Sequence, residues 1–253
     1  MSKNHRVTDM IIHYFILESN PFFDAYWQSD FLGKAIFLSL IGLSIYSWAL
    51  LIYKYLLTKK ATEASLEFKK IFKSHKLTPL KIDAAQVPGT VKNPFLEIYT
   101  VLKRYTLDIL NKNRSFCKEE GSSFLSHSDI DFVESHIAST ITDQTKYLEK
   151  DLYLLRTVVT LSPFLGLLGT VWGILTAFSE MQVHTSGSTN QMVLAGLSLA
   201  LTTTVLGLVN AIPALIGYNY LTQNVRNMQL DMQSFSNEVL SSIELQYRQV
   251  DIR

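Results

Sequence analysis

The residues of this chain best placed to do chemistry are two runs of small side chains, each carrying a threonine. Pro163, Gly166, Thr170, Gly173 and Ala177 follow one another at intervals of 3, 4, 3 and 4 residues, and Gly169 widens the same stripe. That spacing is one face of a helix. Gly196, Ala200, Thr204, Gly207 and Ala211 repeat the device, with Thr202 and Thr203 beside it and Asn210, Pro213 and Gly217 close by. In an apolar medium, small residues let helix backbones approach closely, and any polar group needs a partner. Two accounts follow. In one, the stripes are ordinary helix packing and each threonine bonds back to a carbonyl of its own helix. In the other, Thr170 and Thr204, with Thr203 and Asn210, line a polar path at a surface where another helix sits. No Asp, Glu, Lys, Arg or His occurs in Thr157–Ser179 or Gln191–Val225. Translocation of protons across a membrane needs an intramembrane ionisable group. If this chain serves proton transfer, another chain must supply that group.

Other chemistries find little support. The six histidines, His5, His13, His75, His127, His136 and His184, form no i, i+4 pair and no helix-borne metal motif, so no metal site is expected. A phosphate-cradling glycine loop and a local Ser–His arrangement are absent from the sequence, and no cofactor or catalytic residue is expected. The single cysteine, Cys117, excludes an internal disulfide framework. With 23 Lys and Arg against 22 Asp and Glu, the net charge of +1 argues against a nucleic-acid partner.

What must position the threonines is a set of membrane helices. Hydrophobic residues make up 47% of the 253 and charged residues 18%, but charges are absent from Ala35–Tyr53, Thr157–Ser179 and Met181–Val225. An apolar helix needs about 20 residues to cross the hydrocarbon core. Three spans are therefore predicted, at 31–57, 152–178 and 191–221, with Trp48, Tyr53 and Tyr55 suited to an interfacial belt on the first. Residues 179–190 connect the second span to the third without Lys or Arg. The segment after the first span carries Lys59, Lys60, Lys69, Lys70, Lys73 and Lys76. By the positive-inside rule, 58–151 and the tail 222–253 are cytoplasmic and the N-terminal arm 1–30 lies outside. The basic run also suits contact with anionic lipid.

The remaining pieces read as helices. Within the arm, Ile11, Tyr14, Phe15 and Phe22 suggest either a short interfacial helix or a packed extension. The first span continues as an amphipathic helix over Thr58–Lys76. A second amphipathic helix starts after Pro94 and ends within Asn111–Gly121. A third begins with Ser128 as cap and runs into the second span as one long helix, since neither Pro nor Gly intervenes. The tail after Leu221 is helical as well. The fold class is all-α.

At LSPFLGLLGTVWGILTAF (Leu161–Phe178) and GLVNAIPALIGYNYL (Gly207–Leu221) the sequence resembles the TolQ/ExbB/MotA family of energy-transducing inner-membrane proteins. TVWGI (Thr170–Ile174), IGLSIYSWALLI (Ile41–Ile52) and QMV (Gln191–Val193) resemble the TolQ branch most closely. The resemblance implies a homo-pentamer of three-span subunits around the helices of a TolR-like single-span partner, whose membrane aspartate carries the proton. It further implies that Thr170 and Thr204 are pore threonines, and that work is delivered to a TolA-like protein for outer-membrane integrity and cell division. An ExbB-like role in outer-membrane nutrient uptake is the alternative. One departure stands out. Where the family pattern has a proline and a glutamate in the third span, this chain has Ala195 and Leu199. That loss raises two readings: proton entry through Ser198, Thr202 and Thr203 with water, or a scaffold that does not conduct.

Overall fold

The computed structural model describes residues 26–27, 29–76, 78–82, 93–116, 124–183 and 189–247. Five helices account for nearly all of them: α1 (Phe31–Ser74), α2 (Pro94–Phe116), α3 (His127–Glu149), α4 (Leu152–Val183) and α5 (Thr189–Tyr247). No strand occurs among the described residues beyond an isolated bridge at Leu125, so the fold is all-α as expected. Three stretches, Phe31–Ser74, His127–Ser179 and Gly196–Tyr247, are long and apolar enough to cross a membrane. Ile11, Tyr14, Phe15 and Phe22, on which the reading of the arm as an interfacial helix or a packed extension rested, lie outside the described residues.

Local chemistry explains the helix ends. Asp30 precedes α1, and its Oδ1 accepts from the Gly33 amide at 3.0 Å. Asn93 caps α2 by accepting from the amides of Phe95 (3.1 Å) and Leu96 (3.3 Å), with Pro94 at the first helical position, where its missing N–H costs nothing. The cap of α3 corrects the sequence reading, which put it at Ser128. Ser126 is the cap instead: its hydroxyl accepts from the Asp129 amide at 3.2 Å while Asp129 accepts from the Ser126 amide at 3.0 Å. Such a reciprocal box satisfies two otherwise orphaned amides, which a cap at Ser128 would leave unmade.

The single long helix expected through residues 128–178 is also corrected. It breaks at Lys150–Asp151, where Asp151 adopts a left-handed φ of 69°. Among residues other than glycine, Asp is one of the few that tolerate this conformation. Its carboxylate lies 3.5 Å from Lys54 Nζ on α1, a lysine whose side chain is only 3% exposed. The partner at the break thus offsets the burial of a charge that would otherwise be costly. Conversely, α5 joins the predicted third span and the predicted tail helix without interruption, through Pro213.

The chain forms two compact units. The first comprises residues up to Leu51 together with Tyr153–Tyr218, and holds the apolar parts of α1, α4 and α5. The second comprises Ile52–Leu152 and Asn219–Arg253. Its core is aromatic. Phe95 stacks on Phe235 at 4.6 Å between centroids, and Phe68 and Phe72 meet Phe235 at 6.0 and 5.5 Å. Tyr99 is fully buried among them, and its hydroxyl donates to the Pro79 carbonyl at 2.7 Å. Burial pushes its phenol up to about 12, only partly offset by hydrogen bonding at the Ile82 backbone. Asn93 adds a polar tie, donating to the Ala64 carbonyl at 2.9 Å and accepting from Ser65 Oγ at 3.2 Å.

Candidate functional site

The two small-residue stripes meet one another inside the first unit. A β-carbon built on Gly173 would lie 2.6 Å from the Gly196 carbonyl oxygen and 3.0 Å from Ala200 Cβ. One built on Gly196 would lie 2.8 Å from the Gly173 carbonyl oxygen and 3.0 Å from Ala177 Cβ. At Gly207 it would come within 2.6 Å of the Ser162 carbonyl oxygen, and at Gly166 within 3.0 Å of the Thr203 carbonyl oxygen. Gly169 faces the Thr203 side chain directly. Because most of these neighbours are backbone atoms, they cannot yield by a rotamer change. The absent side chains are what allow α4 and α5 to lie this close.

Polar groups are fitted into that seam. Thr204 Oγ1 reaches across it to donate to the Gly166 carbonyl at 3.2 Å, with the Ala200 carbonyl of its own helix at 3.4 Å. Thr170 donates within its own helix, to the Leu167 carbonyl at 2.7 Å. Both threonines are partly exposed, whereas Thr203 is fully buried and bonds back to the carbonyls of Leu199 and Ala200, each at 3.0 Å. Asn210 is 6% exposed. Its amide donates to Ser162 Oγ at 2.9 Å and its carbonyl oxygen accepts from Ser47 Oγ at 3.2 Å, so one side chain ties α5 to both α4 and α1. Of the four polar residues singled out from sequence, Thr170 and Thr204 therefore reach a surface of the chain, and Thr203 and Asn210 are turned inward. Pro163 and Pro213 both lie inside helices and are half-buried.

Sequence reasoning overlooked Ser47 and Ser162. A signal for Ser162 was present, since it lies four residues before Gly166 on the same stripe; Ser47 offered none beyond being polar within an apolar run. It also overlooked the pairing of Asp30 with Trp172, whose indole Nε1 donates to Asp30 Oδ2 at 2.8 Å. Leu199, where the resemblance expects a carboxylate, is 3% exposed and abuts Gly33 at the start of α1. Outside the seam, the helices carry exposed apolar side chains such as Phe164 (68%), Val171 (59%), Leu201 (62%) and Ile216 (66%). Such a surface is stable against lipid or another apolar helix and costly against water. The chain is an integral membrane protein.

Chemically, this arrangement offers hydroxyls without titrating groups. A threonine hydroxyl that donates to a backbone carbonyl keeps its oxygen lone pairs free to accept. Among the described residues, no group of His, Cys, Asp and Glu side chains is arranged to hold a metal ion.

Comparison with known proteins bears on the same segment. The model of the MotA/TolQ/ExbB proton channel family matches residues 108–234, half of the chain, and contains both stripes. The Tol-Pal system protein TolQ of Haemophilus influenzae is 28% identical over 235 residues, covering 89% of this chain and 94% of the relative. The biopolymer transport protein ExbB of Aquifex aeolicus is 43% identical over 99 residues, 39% of this chain and 66% of the relative. The ExbB of Neisseria meningitidis is 23% identical over 207 residues, covering 81% and 88% respectively.

Proposed function

Because this chain belongs to the MotA/TolQ/ExbB proton channel family, we propose that it is the multi-span subunit of a proton-driven motor in the bacterial inner membrane. Its N-terminus faces the periplasm and its C-terminus the cytoplasm. It assembles as a homo-pentamer around a TolR-like single-span partner and delivers work to a TolA-like protein, serving outer-membrane integrity and cell division. The similarity to a TolQ over nearly the full length of both chains supports the Tol assignment.

One observation carries the reading. The two helices that meet at the seam hold surface-reaching threonine hydroxyls at Thr170 and Thr204 but no Asp, Glu, Lys, Arg or His over Thr157–Ser179 or Gln191–Val225. A proton path through this chain alone would lack a group to titrate. A path shared with a partner carboxylate would not. The threonine oxygens, held by Gly166 and Leu167, then accept from that carboxyl when protonated or from an intervening water. Thr203 and Asn210, being buried, hold the frame rather than contact the proton.

Two observations favour second readings. Higher local identity to an ExbB supports a role in energising nutrient uptake, and the buried, apolar Leu199 supports a scaffold that does not conduct. Deleting the gene separates the two duties. Leakage of periplasmic enzymes and chained cells are expected for the Tol role, and loss of energised nutrient uptake with an intact envelope would overturn it. Thr204→Val tests conduction: it is expected to reproduce the deletion phenotype with the complex still assembled, and normal function would favour the scaffold.

A further inference from the structure

Within the second unit, α1 and α5 leave an open cavity of about 480 Å³ between them just beyond their apolar runs. Thr58 and Met228, 5% and 3% exposed, form its buried floor. Tyr55 and Tyr220 stand at the end nearest the apolar runs with ring centroids 6.2 Å apart. Lys59 and Glu63 follow Tyr55 at i+4 and i+8, on the same helix face, and Asp231 follows Tyr220 at i+11 on α5. At about 1.5 Å per residue, the charges lie roughly 6 to 17 Å along the helices from the tyrosines. The cavity thus passes from an aromatic belt, the usual mark of the membrane interface, into a polar zone.

Three features select its occupant. Lys59, Glu63 and Asp231 make no ion pair among the described residues, so two carboxylates and one ammonium line the cavity without neutralising one another. The mixture suits a ligand carrying both signs, and the excess of one negative charge disfavours a purely anionic one. The tyrosine rings, at the end nearest the apolar runs, add a flank for acyl carbons. We propose that this cavity holds the phosphoethanolamine headgroup of a membrane phospholipid, with its ammonium between Glu63 and Asp231 and its phosphate on Lys59. A primary ammonium supplies N–H donors that carboxylates can accept, and the volume falls within the range of small-ligand sites. This inference stands independently of the proton reading.

The test is native mass spectrometry of the full chain, purified in detergent and offered equal amounts of phosphatidylethanolamine and phosphatidylglycerol. The wild type is expected to retain the ethanolamine lipid about fivefold over the glycerol lipid, as fits charge-assisted contacts that solvent partly screens. Glu63→Gln with Asp231→Asn is expected to abolish that preference. Lys59→Gln is expected to weaken retention of both lipids. Helicity and oligomeric size are followed in every variant, so that misfolding is not read as lost binding. An equal retention of both lipids by the wild type, or a preference unchanged in the double variant, would overturn the proposal. So would soluble phosphoethanolamine displacing the lipid at equal concentration, which would make the ligand a soluble one. Collapse of the oligomer in the double variant with lipid retention intact would assign the cavity to a neighbouring copy.

Discussion

At the residue scale, Asn210 has a partner to lose on each of two other helices. Replacing it by leucine takes the amide donor from Ser162 and leaves Ser47 only the Ser44 carbonyl, 2.9 Å away on its own helix. The expected cost is about 1–2 kcal/mol, as measured for hydrogen bonds between membrane helices and for stranded buried groups. Thermal unfolding in detergent checks it, and Asn210→Asp should be worse, because it places a charge where burial penalises it. Thr204→Val is expected to behave differently. Valine is nearly isosteric, the Gly166 carbonyl retains its own helical bond, and the loss should appear in function rather than stability. Only part of this was legible in the sequence. The threonines showed through their spacing, since 3.6-residue periodicity assigns residues to a face. That Thr203 faces inward and Thr204 reaches a partly exposed position depends on how α5 is rotated against α4, which no count along one chain reveals. Nor could spacing disclose the Ser47–Asn210–Ser162 cluster, whose members are 163 and 48 positions apart.

Among the elements, the close pairing of α4 and α5 rests on missing side chains. Gly173→Ala would put its methyl carbon against the Gly196 carbonyl oxygen, and the two helices must separate to admit it. Loss of the assembled complex on size-exclusion chromatography is the expected result, in contrast to Thr204→Val. The break between α3 and α4 behaves as a second element-scale device. Asp151→Asn keeps a side chain tolerant of the left-handed backbone but removes the charge facing Lys54. A destabilisation of about 1–3 kcal/mol is expected, below the cost of fully burying an unpaired charge because Asp151 is one-third exposed. The absence of Pro and Gly made that break invisible from sequence, and the lysine that Asp151 meets there lies on another helix. Helix existence was far more legible, because long apolar runs and i, i+3, i+7 patterns admit few alternatives. In the second unit, Tyr99 supplies a pH test. Its phenol ionises near 10 when unfolded and near 12 when folded, so the native state holds its proton longer. Its contribution is therefore complete below about pH 10 and is lost as pH rises towards 12. Tyr99→Phe should remove that part of the alkaline loss of stability, read from unfolding midpoints between pH 9 and 12.

For the whole molecule, the apolar surface left outside the seam and the uncharged spans make the same demand for company. Exposed side chains such as Phe164, Leu201 and Ile216 require lipid or neighbouring helices, and a proton path along Thr170 and Thr204 requires a carboxylate from elsewhere. The sequence shows that a proton path here would need a carboxylate from another chain, because Asp, Glu, Lys, Arg and His are missing from both stripe-bearing runs, but such a partner's identity is not encoded in one chain. The fate of Leu199 is a related case. Sequence marks the missing carboxylate, and the structure adds that the leucine is packed against Gly33, where a charged side chain would be poorly solvated. The most direct test of the proton reading is proton flux into liposomes containing this chain co-purified with the aspartate-bearing single-span partner proposed for it. Wild type would be compared with Thr204→Val and with the partner's membrane aspartate changed to asparagine. Flux in the wild type that is lost in both variants, with the complex intact by size, is the predicted result. An intact wild-type complex that passes no protons even when its downstream partner is added, or flux that survives both changes, would contradict it.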